Sequence, residues 1–143
     1  SLDHLLAQIC RLHHGRGHKA FSDLGLYRGQ PPVLELLWKK EGRTHSDLAA
    51  ALQVAPATIT KMVQRLEKSG WVERRPDPED QRVSRVYLTP AGRDIHGELS
   101  ALLDQFDTEI RANLTEEEQA TLFGLLMKVR DSLSQSHDAE AGK

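Results

Sequence analysis

The chain has 143 residues, of which 38% are hydrophobic and 28% charged, and its net charge is −2. This length suffices for one hydrophobic core, or for one core and an interface with a partner. The sequence has no run of about 18 apolar residues and no basic segment ahead of an apolar stretch, so we expect neither a membrane span nor a secretory signal. A single cysteine, Cys10, excludes an intrachain disulfide and favours a cytoplasmic protein.

The charge is unevenly distributed along the chain. Residues 56–93 carry a net charge of +3, whereas residues 94–143 carry −7 and residues 1–55 carry +2. An acidic segment more than about 8–10 Å away does not cancel a locally positive face in physiological salt. A charge of +3 also fits ordinary surface scatter, so charge alone permits a phosphate-binding face without establishing one.

The first predicted element is an amphipathic helix with a recurrent apolar stripe. We expect it to be interrupted or loosened near Gly15 and Gly17, because an interior glycine costs about 1 kcal/mol relative to alanine. Pro31 and Pro32 then open a second helix, which we expect Gly42 to end. The stripe of the first helix is assigned to a dimer interface and consists of Leu2, Leu5, Leu6, Ile9 and Leu12.

Two shorter helices follow, joined by a tight turn. Thr44 and Asp47 have the spacing of a capping box and predict a helix from Leu48 to Leu52. Pro56 opens the next helix and Gly70 closes it. A helix pair of this kind followed by a β-hairpin is the sequence form of a winged helix-turn-helix, which predicts a DNA-binding module.

The second helix of this pair has one apolar and one polar face. Ile59, Met62, Val63 and Leu66 share the apolar face, which we expect to pack into the domain. The polar face also fits an ordinary solvated helix; in the DNA-binding interpretation, glutamine pairs with adenine, and lysine or arginine with guanine or phosphate. The predicted DNA contacts of this helix are Pro56, Ala57, Thr58, Thr60, Lys61, Gln64, Arg65 and Lys68.

The hairpin is predicted from two runs of β-forming residues. One strand covers residues 71–74 and the other residues 83–88. The loop between them, residues 75–82, contains two prolines that remove backbone donors, so we expect it to form no ladder.

Arginines flank this loop and suit a narrow, electronegative minor groove. We expect Asp77 and Asp80 to support the loop by pairing with Arg74, Arg75 or Arg82, because carboxylates do not face phosphate. An ordinary charged hairpin tip is the alternative. The predicted DNA contacts of the wing are Arg74, Arg75, Arg82 and Arg85.

Two longer helices complete the chain, the first from Thr89-Pro90 and the second from a capping box of Thr115 and Glu118. Their apolar stripes, with that of the first helix, exceed what a small winged domain buries, which predicts a dimer; a monomeric helical bundle is the alternative. The predicted interface residues here are Phe106, Ile110, Leu122, Leu126, Val129 and Leu133.

These elements predict a mainly α fold with a small β-hairpin wing, a winged helix-turn-helix with N- and C-terminal dimerisation helices. The predicted division is an N-terminal dimerisation helix over 1–29 and a DNA-binding domain over 30–93. C-terminal dimerisation helices over 94–135 and a disordered tail over 136–143 follow.

The stretch from Gln30 to Arg93 resembles the MarR family of bacterial transcriptional regulators. The resemblance rests on LYRGQPPVLELLW, on DLAAALQVAPATITKMVQRLEKSGWVERR and on DPEDQRVSRVYLTPAG. The Asp-x-Arg wing signature, here Asp80-Gln81-Arg82, is its most specific part. One departure is Ala55, which stands where an N-cap Ser, Thr or Asp is usual and whose lack of a cap costs about 1 kcal/mol.

The resemblance implies a homodimer whose first and last helices interlock and which binds double-stranded DNA at an inverted repeat. One reading helix would enter each of two successive major grooves, and Arg82 would match the arginine that enters the minor groove. Family members commonly repress transcription, and commonly release DNA when a small phenolic or lipophilic molecule binds between the dimer helices and the DNA-binding domain.

Two features suggest sensor sites, each with a simpler interpretation. Some members of that family sense peroxide through a cysteine in the first helix, but Cys10 lies closer to the Gln-Pro segment, and we interpret it as a small packing residue. His14 and His18 have metal-ligand spacing, yet no carboxylate or cysteine completes a shell. We expect exposed histidines or effector contacts at His13, His14 and His18, and no metal or cofactor.

No nucleophile–base pair, glycine-rich phosphate loop or metal signature occurs in the sequence, so we expect a non-enzyme. The main alternative to DNA binding is a winged helix used only for protein–protein contact, because a fold does not fix a function. A redox-sensing regulator acting through Cys10 is the further alternative.

Overall fold

Helices form most of the part of the chain that this computed structural model describes, residues 1–27 and 29–141. Contacts divide the chain into two units, Ser1–Leu102 and Leu103–Lys143, which are described separately. The helices are α1 (Leu2–Asp23), α2 (Gln30–Lys39), α3 (His45–Leu52), α4 (Pro56–Lys68), α5 (Pro90–Asp94), α6 (His96–Arg111) and α7 (Glu116–Ala141). The strands are β1 (Arg43–Thr44), β2 (Val72–Pro76) and β3 (Ser84–Leu88).

Helix α1 is continuous, so the predicted interruption near Gly15 and Gly17 is wrong. Ser1 caps the helix by accepting a hydrogen bond from the His4 backbone amide at 3.2 Å. Gly17 is buried within this helix, although an interior glycine costs about 1 kcal/mol relative to alanine.

Helices α2 and α3 begin with the predicted signals. Gly29 adopts a φ of +87° before α2, and Pro31 lies in the first turn. The capping box at α3 is confirmed, since Thr44 Oγ1 accepts from the Asp47 amide and an Asp47 carboxylate oxygen accepts from the Thr44 amide, both at 3.1 Å. The box places the start of α3 at His45, three residues before the predicted start at Leu48.

The sheet contains a strand that the sequence did not predict. The strand order is β1-β3-β2, all antiparallel, with Arg43 opposite Val86 in the added pair. The ladder between β2 and β3 extends to Arg75 and Pro76, so the prediction that residues 75–82 form no ladder is wrong at its first two positions. Proline is tolerated there because β2 lies at an edge of the sheet.

One hydrophobic core lies within the first unit, between helices α2, α3 and α4 and one face of the sheet. Each buried aliphatic side chain stabilises the fold by about 1.5–3 kcal/mol relative to an exposed one. This core fixes the orientation of α4, whose opposite face is left outside. The aliphatic side chains with at most 3% exposure are Leu26, Val33, Leu34, Leu37, Leu48, Ile59, Val63, Leu66, Val72, Val86, Leu88 and Leu99.

The helices after the wing differ from the prediction at two points. The predicted helix from Pro90 onward is divided at the buried Ile95 into α5 and α6.

The start of α7 agrees with the prediction, whereas its end does not. The Thr115–Glu118 capping box is confirmed by bonds of 2.9 and 3.1 Å. Helix α7 continues to Ala141, where a disordered tail from residue 136 was predicted; residues 136–141 include no glycine or proline that would end a helix, and residues 142–143 lie outside the described part.

No helix in the described part of the chain combines the length and the hydropathy that crossing a membrane requires.

Candidate nucleic-acid interface

Helix α4 has one buried face and one exposed polar face, as its sequence predicts. Ile59, Val63 and Leu66 are fully buried, and Met62 is half-buried. The predicted contact residues on the other side are exposed, except for the half-buried Thr60. The exposed ones are Pro56, Ala57, Thr58, Lys61, Gln64, Arg65 and Lys68.

The hydroxyl of Thr60 is engaged inside the domain. Its Oγ1 donates to the Pro56 carbonyl at 3.1 Å and lies 3.4 Å from Nδ1 of His45. A hydroxyl has one proton to donate, so this side chain has none left for a base edge. Unlike the exposed residues predicted with it, Thr60 therefore cannot donate a hydrogen bond to DNA while it keeps the bond to Pro56.

The start of α4 lacks a side-chain cap, as predicted. Ala55 is the N-cap residue and makes no side-chain hydrogen bond, while Pro56 occupies the first helical position. The first turn is held by backbone bonds instead: the Ala55 carbonyl accepts from the amides of Thr58 and Ile59 at 3.0 and 3.2 Å.

Arg74 joins the wing to α4. Its guanidinium donates twice to the carboxylate of Glu67, with Nε and Nη2 at 3.1 and 3.0 Å from the two oxygens. These bonds hold the pKa of Glu67 below its usual value. Arg74 was predicted as a DNA contact, but the structure gives it a bidentate partner seven residues earlier, which fixes β2 against α4.

Arg85 and Asp77 form a second internal tie, and the predicted pairing of Asp77 is wrong. Asp77 pairs with Arg85 at 2.6 Å, rather than with Arg74, Arg75 or Arg82. Arg85 also donates to the Gly42 carbonyl at 2.7 Å, which connects the wing to the turn before β1.

The reason for the changed partner is that the other arginines are already engaged. Arg75 pairs with Glu73, and its guanidinium lies 4.3 Å from the ring centre of Tyr87. Asp77 also accepts from the amides of Glu79 and Asp80, at 2.7 and 3.3 Å. Because of the Glu79 amide above all, and then of the arginine, the pKa of Asp77 lies below its usual value.

Arg82 is the most exposed of the four wing arginines. The predicted pairing of Asp80 with Arg82 is confirmed by a 3.1 Å contact, and the Arg82 side chain is 91% exposed. The Asp80 carboxylate also accepts from the Arg82 amide at 3.1 Å. This aspartate therefore holds the loop in shape while the guanidinium stays at the surface.

The residues predicted as sensors lie along α1 and make no metal site. Cys10 is exposed, so its predicted packing role is not met within a single chain. His13, His14 and His18 are also exposed, with the first two ring centres 6.1 Å apart. Among the described residues, no three histidine, cysteine or acidic side chains are grouped closely enough to hold a metal ion.

A cavity of about 410 Å³ lies instead beside the end of α2 and the start of α5. Trp38 is fixed in its wall, because Nε1 donates to the Gly92 carbonyl at 2.9 Å and the indole lies 4.4 Å from the His96 ring. The lining residues are Leu37, Trp38, Lys39, Lys40, Glu41, Leu88, Arg93 and His96.

Each unit leaves an apolar stripe uncovered. On α1, Leu2, Leu5, Ile9 and Leu12 are at least half exposed, and Leu6 is 36% exposed. In the second unit, Phe106 and Leu122 are half-buried. The remaining predicted interface residues there are 43–58% exposed and are Ile110, Leu126, Val129 and Leu133.

The predictions missed three residues that shape this surface: Glu67, Glu73 and His45. Glu67 and Glu73 could have been suspected from their closeness in sequence to the arginines that they bind. His45 follows the capping threonine directly, and nothing in its local pattern indicates that it reaches Thr60, fifteen residues later.

Comparison with known proteins assigns the chain to a family. The model of the MarR family matches residues 26–84. The uncharacterized HTH-type transcriptional regulator YwoH of Bacillus subtilis (strain 168) is 30% identical over 118 residues, which are 82% of this chain and 85% of the relative. The multiple antibiotic resistance protein MarR of Escherichia coli (strain K12) is 41% identical over 87 residues, 60% of each chain.

A solved structure agrees with this result. A mutant of MarR from E. coli, crystallised in complex with operator DNA, is 32% identical and superimposes with a TM-score of 0.82 over 90% of this chain and 92% of its own. The winged-helix geometry, the family model and these relatives together show that the chain belongs to the MarR family of transcriptional regulators.

Proposed function

We propose that this protein binds double-stranded DNA sequence-specifically, as a homodimer, and represses transcription from an inverted-repeat operator. The observation that carries the proposal is the exposed polar face of α4 beside an exposed arginine at the wing tip. Lys61, Gln64 and Arg65 occupy that face, and Arg82 occupies the tip.

The chemistry of the α4 face suits the major groove. Gln64 can pair with both hydrogen-bonding groups of adenine, and Arg65 or Lys61 with those of guanine, each good pair contributing about 1–3 kcal/mol of discrimination. Ala57 and Thr58 are small, so the start of the helix can approach base edges closely. Lys68 lies at the other end, where a cation contacts phosphate without reading sequence.

The wing suits the minor groove. Arg82 carries a delocalised cation, and a narrow minor groove concentrates the negative potential that attracts it. Its guanidinium pairs with Asp80, a carboxylate on the same exposed loop, and such a surface pair is worth about 0–1 kcal/mol. The free-energy cost of moving the Arg82 guanidinium from Asp80 into the minor groove is therefore small.

The homodimer is supported by the uncovered apolar stripes of α1 and of α6 and α7. Contiguous apolar surface of this kind marks an interface. A two-fold dimer would present two copies of α4, which read half-sites about one helical turn, 34–36 Å, apart. Packing in that interface would also cover the part of α1 that carries Cys10.

We also propose that a small-molecule effector releases the protein from DNA. The cavity beside Trp38 and His96 has a volume of about 410 Å³, within the range of about 300–1,000 Å³ typical of small-ligand sites. A phenolic or lipophilic molecule could stack there on the indole. This site takes the place of the predicted effector contacts at His13, His14 and His18 in the proposal.

Selection from a pool of random duplexes tests the proposal. Duplexes retained by the purified protein should converge on an inverted repeat with half-sites about one helical turn apart. A pool that stays random would refute sequence-specific binding and favour the alternative, a winged helix used only for contact with proteins. Peroxide treatment that abolishes binding to the selected duplex would favour the redox alternative through Cys10.

A further inference from the structure

His45 lies where three elements of the winged-helix domain meet. It is the first residue of α3 and is half-buried. Its Nδ1 is 3.4 Å from the hydroxyl of Thr60 on α4. Glu67 at the end of α4 and Arg74 on β2 both act electrostatically on its ring, and they are bound to each other by two hydrogen bonds.

The contact with Thr60 determines the tautomer of the neutral ring. Because the Thr60 hydroxyl donates to the Pro56 carbonyl, it can only accept from the histidine, which places the ring proton on Nδ1. The lone pair of a neutral ring is then on Nε2. That atom is buried and has no hydrogen-bond partner among the described residues.

Adding a proton at Nε2 would create a buried donor and a second cation. Burial and the neighbouring Arg74 oppose that cation, and together they outweigh the favourable effect of Glu67, so the pKa of His45 lies below its ordinary value. The acidic group that acts on the ring, Glu67, already accepts from Arg74 through both carboxylate oxygens. An imidazolium would therefore compete for the carboxylate that ties α4 to the wing.

Charged groups on the other elements beside α3 have different targets. Arg43 of β1 and Arg85 of β3 act electrostatically on Asp47, the third residue of α3, rather than on the histidine. Glu35 of α2 interacts with Lys39 of its own helix. The balance at His45 is thus set mainly by Glu67 and Arg74.

We infer that His45 is a positioning residue for DNA recognition: its neutral ring holds α4 in place against α3 and the wing, and its protonation disturbs that arrangement and weakens DNA binding. The inference rests on the proposed DNA-binding function. It concerns the orientation of the helix that carries Lys61, Gln64 and Arg65, since Thr60 and Glu67 lie on that same helix.

The test replaces the histidine by a side chain that keeps its donor but does not ionise. His45→Asn retains an N–H near the position of Nδ1, and His14→Asn, on the exposed surface of α1, is the matched control. The affinity for the selected duplex is measured at constant ionic strength for the wild-type protein and both variants, from about pH 7.5 in steps down to about pH 5.0, because the pKa of His45 lies below its ordinary value.

We expect the wild-type protein and His14→Asn to lose at least about threefold more affinity on acidification than His45→Asn, since a required deprotonation can cost up to about tenfold per pH unit. Equal pH dependence of the wild-type protein and His45→Asn, with binding intact at about pH 7.5, would overturn the inference and leave the proposed function standing. If the wild-type protein failed to bind the duplex even at about pH 7.5, the proposed function itself would be refuted.

A second measurement does not require DNA or a variant. Nitrogen NMR of the imidazole in the wild-type protein at about pH 7.5 distinguishes the two neutral tautomers. The tautomer protonated on Nδ1 supports the inference, and the one protonated on Nε2 overturns it.

Discussion

Replacing Arg82 by alanine separates the function of the wing from its structure. The side chain is 91% exposed, and its pair with Asp80 lies on the surface. Such a pair contributes about 0–1 kcal/mol to stability, so the thermal midpoint of Arg82→Ala should stay close to that of the wild-type protein. The loop itself keeps the amide bonds that Asp77 and Asp80 accept.

The expected effect on DNA binding is much larger. A hydrogen bond to a charged group contributes about 1.5–3 kcal/mol, and a dimer loses two of them, one from each wing. A loss of about 3 kcal/mol corresponds to about 100-fold weaker binding. The loss of two cations should also reduce the slope of log affinity against log salt by about 1.8.

Fluorescence anisotropy with the selected duplex, over a series of salt concentrations, measures both quantities. Arg130→Ala is the matched control, because this arginine also forms an exposed pair, with Asp131, but lies on α7, outside the winged-helix domain. We expect the control to bind as the wild-type protein does. If Arg82→Ala retained wild-type affinity and salt slope, the wing tip would not enter the groove.

Three further changes test other parts of the molecule. Lys61→Ala should reduce the salt slope by about 1.8 per dimer if this lysine contacts phosphate, and an unchanged slope would exclude that contact. Leu126→Asp should convert the dimer to monomers in sedimentation velocity, because a charge in an apolar interface is unpaired; a stable dimer would place the interface elsewhere. Gly92→Ala should lower the free energy of unfolding by about 1–3 kcal/mol, since a Cβ there would collide with the Trp71 carbonyl, whereas Gly97→Ala, which meets nothing within 4 Å, should be neutral or stabilising in chemical denaturation.

Features that depend on neighbouring residues were predictable from the sequence. The buried face of α4 follows from the spacing of Ile59, Val63 and Leu66, because residues three and four positions apart share one side of a helix. The capping box at Thr44 and Asp47 and the uncapped Ala55 are likewise local. Local spacing therefore predicted which side of α4 is available to a ligand.

Features that depend on distant residues were not predictable in this way. β1 has two residues, too few for an alternating pattern, and it exists because β3 lies alongside it. Arg85 reaches the Gly42 carbonyl across 43 positions in the chain. Such contacts follow from the packing of the whole domain, so charge and proximity in sequence led to the wrong partner for Asp77.

Two of the wing arginines, Arg74 and Arg85, hold the wing in place within the domain, whereas Arg82 is exposed at its tip. Arg74 and Arg85 are bound through two hydrogen bonds each, to Glu67 in one case and to Asp77 and Gly42 in the other. Ordering a long side chain on binding costs about 0.5–1.5 kcal/mol, and these ties order the wing before DNA arrives. Because they also connect the wing to α4 and to the turn before β1, displacement of the wing would strain the bonds that join it to α4. A perturbation at Glu67, including protonation of its neighbour His45, should therefore affect the major-groove and minor-groove contacts together.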